Sequence, residues 1–412
     1  MNNTKVELMS PAGDWASLRT AVKYGADSVY FGVKDLNMRK EAGNFDLLEL
    51  DKITEFLHKH GKKGYLAINT IVYDNELGKV EKILKKAKRV KIDAVILWDM
   101  GALNIARDLG LRVHLSTQAS VSNFSAVRSY NALGVKRIVL ARECGFEDIK
   151  NIITSIKKEN IDCEIETFVH GAMCVSISGR CFLSLQSFSK SANRGECLQP
   201  CRRKYLITDM EEQGNEYILG EDYILSPRDL CAVSFIDRLI KIGISSFKIE
   251  GRMRNPEYVK ETASTYRAAI DAVYENKFTA GLKKALREKL LSVYNKGFTD
   301  GFYWGIPDDT GAGPAQNKYE KIFLGEVANF YSRKKAAAIN VMYRGIKIGD
   351  EIAIYGKSTP LSIAKVKELQ VARKPVAFAE KGTQAGVKLP FKVRRKDKVF
   401  FYQEKRAVEN EK

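Results

Sequence analysis

The chain has 412 residues, 45% of them hydrophobic, and carries 68 Lys and Arg against 50 Asp and Glu, a formal charge of +18. That length exceeds one ordinary domain, the apolar fraction supports a sizeable core, and the charge draws polyanions, nucleic acid first, although a lysine-biased proteome produces the same excess. Four histidines are too few for a His-rich metal site, no apolar run approaches a membrane span, and the start MNNTKVELMSPAGDW lacks the apolar segment of a secretory signal, so a soluble cytoplasmic protein is expected.

Short β runs alternate with helical stretches from the start. VELMSP (6–11) is an apolar strand ending at Pro-Ala-Gly, and Asp14 is placed to cap a helix over WASLRTAVKYG, closed by Gly25. DSVYFG (27–32) is the next strand, residues 46–60 a helix, GYLAIN (64–69) a strand, and 75–91 a Lys-rich helix before DAVILWD (93–99). RVHLST (112–117), RIVLAR (137–142) and EIETFVHG (164–171) repeat the pattern. After an irregular insertion, 227–243 reads as a helix, SSFKIEG (245–251) as a strand and Pro256 to Tyr274 as a last helix. Eight such units close most naturally into a (β/α)8 TIM-like barrel over residues 1–280; a doubly wound open sheet is the alternative, weakened by the lack of a dinucleotide or phosphate-loop motif.

The insertion, 172–226, follows strand seven. Its residues 205–225 read as a β-hairpin turned at Gln213-Gly214-Asn215 and lying over the rim as a lid. A basic helix (281–295) and a Gly/Pro-rich linker occupy 281–320. From 321 to 412 the period becomes two, which predicts a small all-β barrel domain. Its cations interleave with Tyr331, Tyr343, Tyr355, Phe400, Phe401 and Tyr402, a composition suited to RNA docking and equally to a solvated basic surface over a β core.

Barrel enzymes place their chemistry where strands end. The polar groups there are Ser10 to Gly13, Asn69-Thr70, Asp99, Ser116 to Gln118, Arg142-Glu143, His170-Gly171 and Glu250-Gly251-Arg252. Charges ending apolar strands must be solvated, paired or bound to ligand. The candidate catalytic residues are His170, Arg142, Glu143 and Glu250; the candidate substrate-binding residues are His114, Thr117, Gln118, Arg252 and Arg254. His170 also has the simpler reading of a hydrogen-bonded strand end.

Five of seven cysteines fall within 163–205. Cys174, Cys181, Cys197 and Cys201 form a C-x6-C-x15-C-x3-C pattern, and Cys231 is a fifth candidate. An odd total fits a disulfide framework poorly. Four thiolates suit zinc or an iron–sulfur cluster; only Cys197 and Cys201 have knuckle spacing, which favours a 4Fe–4S cluster over zinc. Cys163 reads as core and Cys144 as a marginal ligand.

ETFVHGAMCVSISGRCFLS with NRGECLQPCRRKY closely resembles the signature of the U32 peptidase family, and ELMSPAGDWASLRTAVKYGADSVYFG, VHLSTQASVSN, RIVLARE and FKIEGRMRNPEYV resemble its other blocks, together covering roughly residues 5–305. The resemblance implies oxygen-independent or prephenate-dependent hydroxylation more than proteolysis. It is greatest to the branch that hydroxylates the wobble uridine (U34) of the tRNA anticodon loop to 5-hydroxyuridine; other branches act on a 23S ribosomal RNA cytidine, in longer chains, or on the ubiquinone ring. It also implies a 4Fe–4S cluster on four of the five cysteines, Cys174, Cys181 and Cys197 with either Cys201 or Cys231, and prephenate as cosubstrate. Two competing functions are a collagenase-like peptidase, for which no H-E-x-x-H or nucleophile elbow is found, and a non-catalytic RNA-binding factor with structural zinc.

Overall fold

The computed structural model describes residues 5–203, 205–208, 211, 216–219, 227–307 and 316–405. Seven parallel strands follow one another around a ring: β1 (Glu7–Pro11), β2 (Ser28–Gly32), β3 (Lys63–Ala67), β4 (Ala94–Leu97), β5 (Val113–Leu115), β6 (Val135–Val139) and β7 (Glu164–Ala172). The hairpin strands β8 (Tyr205–Thr208) and β9 (Glu216–Leu219) and the short β10 (Asp229–Cys231) come next in the chain. The eighth staff, β11 (Ser246–Ile249), pairs in parallel with both β7 and β1, and so closes the expected barrel. Its strands are almost wholly buried because helices cover the outside.

The helices are α1 (Trp15–Lys23), α2 (Leu50–Lys59), α3 (Leu77–Arg89), α4 (Met100–Asp108), α5 (Phe124–Ala132), α6 (Phe146–Lys158), α7 (Leu183–Phe188) in the insertion, α8 (Ile236–Ile242), α9 (Pro256–Tyr274) and α10 (Ala280–Leu291). Asp14 caps α1 as expected, its carboxylate accepting from Ser17 N at 2.7 Å. The chain reverses after α1 through Gly25 at φ +100°, a conformation open to glycine without strain.

The barrel interior is not purely apolar. Glu7, Arg137, Glu166 and Lys248 point inward from β1, β6, β7 and β11. Arg137 Nη1 donates to Glu7 Oε1 at 2.7 Å and Glu166 Oε2 at 3.3 Å, and its Nε to Glu164 at 2.7 Å. Lys248 Nζ donates to Glu166 Oε1 at 2.9 Å, while Ser28 and Tyr65 donate to Glu7. Burial raises the Glu7 pKa, but the Arg137 hydrogen bond and the charges of Arg137 and Lys63 outweigh it and hold it down at about 2.

The helix expected across 227–243 is a correction. Pro227 leads instead into β10, which pairs antiparallel with the far end of β7 (Leu230↔Gly171, Cys231↔His170), and α8 begins only at Ile236. β7 is nine residues long and outruns its barrel neighbours, so its free edge recruits a strand. β12 (Phe298–Thr299) then pairs with β10. β8 and β9 form the expected hairpin, Tyr205 opposite Leu219. Its turn at Gln213-Gly214-Asn215 lies outside the described residues.

The C-terminal region is antiparallel. Its strands are β13 (Tyr319–Tyr331), β14 (Ala336–Val341), β15 (Ile346–Lys347), β16 (Glu351–Gly356), β17 (Thr359–Lys365), β18 (Leu369–Val371), β19 (Lys374–Pro375), β20 (Phe378–Ala379), β21 (Gln384–Lys388) and β22 (Lys398–Glu404). Eight form one sheet, β17-β16-β22-β13-β14-β21-β18-β19, and β15 pairs with β20 as a separate ribbon. One core, including Leu324, Ile339, Ile352, Val387 and Phe401, holds the region together. It docks on α1 and α9: Leu361 N donates to Thr20 Oγ1 at 3.0 Å, Lys23 Nζ to Ser362 Oγ at 2.8 Å, and Lys321 Nζ to Glu257 at 3.1 Å. Among the described residues no helix is long and apolar enough to cross a membrane.

Candidate active site at the C-terminal mouth of the barrel

Inward positions near the carboxyl ends of the strands and the loops beyond them enclose a cavity of about 280 Å³. Tyr30 (β2), Phe168 (β7) and Lys248 (β11) reach it from the barrel interior, Asn69, Ser116, Thr117 and Gln118 line one side, and Glu250, Arg252 and Arg254 follow β11 on another. The loop of β1 passes close beneath: a Cβ on Gly13 would lie 2.1 Å from the carbonyl oxygen of Arg252, which explains the Pro-Ala-Gly end of the first strand.

Cys174, Cys181, Cys197 and Cys201 all line this cavity. Cys174 Sγ lies 3.0 Å from Ser176 Oγ, and Cys181 Sγ accepts from Leu183 N at 3.3 Å. The insertion is fastened by Asn193 Oδ1, which accepts from Cys181 N, and by the ion pair of Arg194 with Glu76. Burial pushes the Cys201 thiol up, Arg202 draws it down, and the nearby Cys174, Cys197 and Cys181 push it up again. Among the described residues no three His, Cys, Asp or Glu side chains are drawn together as ligands of a single metal ion.

Cys231 is elsewhere. It is fully buried in β10 beside Tyr266, whose hydroxyl is 4.0 Å from its sulfur, and does not line the cavity; burial pushes its thiol up to about 11. Cys144 and Cys163 are core residues whose thiols burial pushes up to about 12.

The cavity is rich in cations. Arg39 donates from Nε and Nη2 to Glu250 Oε1 at 3.3 and 3.1 Å. Arg142 stacks over the Phe168 ring at 4.2 Å. Arg252 is 4% exposed, its buried Nη1 finds no partner among the described residues, and burial brings its pKa down to about 10. Arg202 also has a buried Nη1 without a partner there. Burial raises the Glu250 carboxyl, but Arg39, Arg142 and Arg254 outweigh it and hold it low, so it is an anion. Against Glu250, the lining offers Arg39, Arg142, Arg202, Arg252, Arg254 and Lys248. That excess of cations suits an anion.

Of the expected residues, Arg142, Glu250, Thr117, Gln118, Arg252 and Arg254 line the cavity. Three do not. Glu143 is exposed beside it. His170 faces outward from β7 among Tyr258, Tyr266 and Phe298, with Nδ1 3.3 Å from the Tyr266 hydroxyl, and burial aided by Arg254 keeps it neutral by lowering its pKa to about 3. His114 is 1% exposed inside the barrel against the Tyr65 ring, and burial with Arg137 and Arg112 keeps it neutral. Sequence reasoning missed Arg39 and Lys248. Lys248 carried a signal, a lysine amid the apolar SSFKIEG strand; Arg39 lies in a loop with none.

The model of peptidase family U32 matches residues 13–312. The chain belongs to peptidase family U32. This U32 member is 44% identical over 97% of its length to an uncharacterised protease of Methanocaldococcus jannaschii, covering 98% of that protein. It is 38% identical to a collagenase of Porphyromonas gingivalis, over 97% and 98% of the two chains. It is also 34% identical to tRNA hydroxylation protein P1 of Bacillus subtilis, over 85% and 84%.

Proposed function

We propose that this U32 member is an RNA hydroxylase that acts on C5 of the wobble uridine, U34, in the tRNA anticodon loop, with a 4Fe–4S cluster as cofactor and prephenate as cosubstrate. One observation carries the reading: four thiols and an excess of buried cations meet in a single cavity at the barrel mouth. Cys174, Cys181, Cys197 and Cys201, a thiolate-only donor set that suits a 4Fe–4S cluster as well as zinc, would hold the cluster, which when bound would supply one-electron transfer. Cys231 is the poorer fourth ligand, being walled off in β10.

The chain's own groups then have distinct tasks. Arg142, Arg252 and Arg254 bind the carboxylates of the cosubstrate or an RNA phosphate. Arg39 holds Glu250 ionised at the cavity edge as a proton acceptor. Gln118, Asn69 and Thr117 present hydrogen-bonding edges to a base taken out of its stack. The relative named for tRNA hydroxylation supports the RNA reading.

Two relatives bear protease names, and a peptidase is the second reading. It needs an activated nucleophile, and His170, four residues before Cys174, is packed outside the cavity. Nucleoside analysis of tRNA and rRNA from a deletion strain decides: loss of 5-hydroxyuridine from tRNA with rRNA unchanged is expected. Cys174→Ala and Cys181→Ala variants that restore full hydroxylation would sink the cluster role. Peptide hydrolysis surviving chelation would favour the peptidase.

A further inference from the structure

The positive charge of the chain is unevenly placed. Residues 321–412, under a quarter of the length, hold 21 Lys and Arg against 9 Asp and Glu, a net +12 of the total +18. Four of the six aromatic residues expected to face RNA there are packed instead. Phe401 is in the core, Tyr355 stacks on Phe400 at 5.3 Å while bonding Lys321, and Tyr402 stacks on Tyr319 at 4.8 Å. Tyr331 is exposed at the far end of β13; the other exposed apolar side chains of the region gather at one place.

The strand-to-ribbon segment 342–348 and its paired strand β20 expose Met342 (53%), Tyr343 (61%), Ile348 (48%) and Phe378 (53%). The register makes them neighbours. Lys347 stands opposite Phe378, Ile348 N donates to Ala377 O, and the backbone of Gly345 abuts the Phe378 ring so closely that a Cβ would sit 2.1 Å from it. Arg344, Lys347, Arg373, Lys374 and Lys381 are exposed around them, with Asp350 and Glu380 the nearby acids. Ion pairs of this region use Lys318, Lys321, Lys357 and Lys388; among the described residues none uses those five cations.

We propose that this ribbon face is an RNA-docking surface, with unstacked bases against Tyr343 and Phe378 and phosphates against Arg344, Lys347 and Lys374. Exposed apolar side chains alone would equally suit a protein. The cations interleaved with them, none in an ion pair among the described residues although Arg344 Nη2 donates to Gln403 Oε1 at 3.1 Å, favour a polyanion that also offers flat aromatic faces. The inference rests on the RNA reading of the barrel cavity and adds a second contact that grips the substrate outside it.

The test is fluorescence anisotropy of the full chain with labelled total tRNA, over a salt series, which needs no turnover. Tyr343→Ala with Phe378→Ala should weaken binding at least tenfold, since stacking is worth about 1–3 kcal/mol per base. Lys347→Ala with Lys374→Ala should flatten the dependence of log affinity on log salt by about two phosphate contacts. Arg333→Ala with Lys334→Ala, which removes equal charge at the distant β13–β14 turn, should stay within about twofold. Melting curves of the four exposed substitutions should match the parent. Patch variants that bind like the parent, or a turn variant that loses as much, would overturn the proposal. Failure of the hydroxylation reading is separate: tRNA nucleosides unchanged on deletion, with patch-dependent binding intact, would remove only that reading.

Discussion

The lower and upper halves of the barrel interior use charge in opposite ways. Below, Arg137 and Lys248 are matched by Glu7, Glu164 and Glu166 at 2.7–3.3 Å, and tyrosine and serine hydroxyls complete the network. Above, Glu250 answers Arg39, while Arg252 and Arg202 keep buried N–H groups unmatched among the described residues. A matched network is finished when the chain folds; an unmatched one is left for water or a ligand to finish. Lys248 stands at the boundary, paired downward to Glu166 and presented upward to the cavity.

Breaking the lower half should have the largest effect. Glu166→Ala strips the carboxylate from buried Lys248 and removes one of the three that Arg137 holds, and should cost about 3–5 kcal/mol of stability, read in urea unfolding. Acid probes the same network more gently. The Glu7 carboxyl sits at about 2 in the fold and near 4.5 when free, so its contribution, on the order of 3 kcal/mol, is complete above the free value and is lost as pH falls from about 4.5 towards 2. A stability profile flat across that window would contradict the pairing.

The upper half should respond in activity rather than stability. Arg252→Ala should reduce kcat/KM for tRNA hydroxylation about 10- to 100-fold, the worth of one charged hydrogen bond, while leaving the melting temperature unchanged or higher because an unpaired buried cation is removed. A large fall in melting temperature would move Arg252 to the structural class. Cys231→Ala sharpens the contrast between thiols: about 1–2 kcal/mol of stability should go, as for other buried truncations, with iron and sulfide content intact, whereas Cys174→Ala should lose both. Glu143→Gln, at an exposed position beside the mouth, should stay within about 0.5 kcal/mol and keep its activity.

Local pattern determined much of this protein. Alternating apolar runs, the Asp14 cap and the reversal at Gly25 require nearby residues only, so eight barrel strands, the long α9 and the two-residue period after 320 were all legible. Thiols clustered along the chain marked the insertion, and charges ending apolar strands marked most of the cavity. What the tertiary structure alone decided depends on partners far away in sequence. Cys231 and His170 left the candidate site because the free edge of β7 pairs with β10, turning a helical-looking segment into a strand and burying both side chains behind the wall. Arg39 entered it because the loop after β2 folds over to Glu250, 211 residues away. Long-range pairing, unlike periodicity, leaves no trace in the spacing of residues, so which of these side chains line the cavity was decided by the closed barrel.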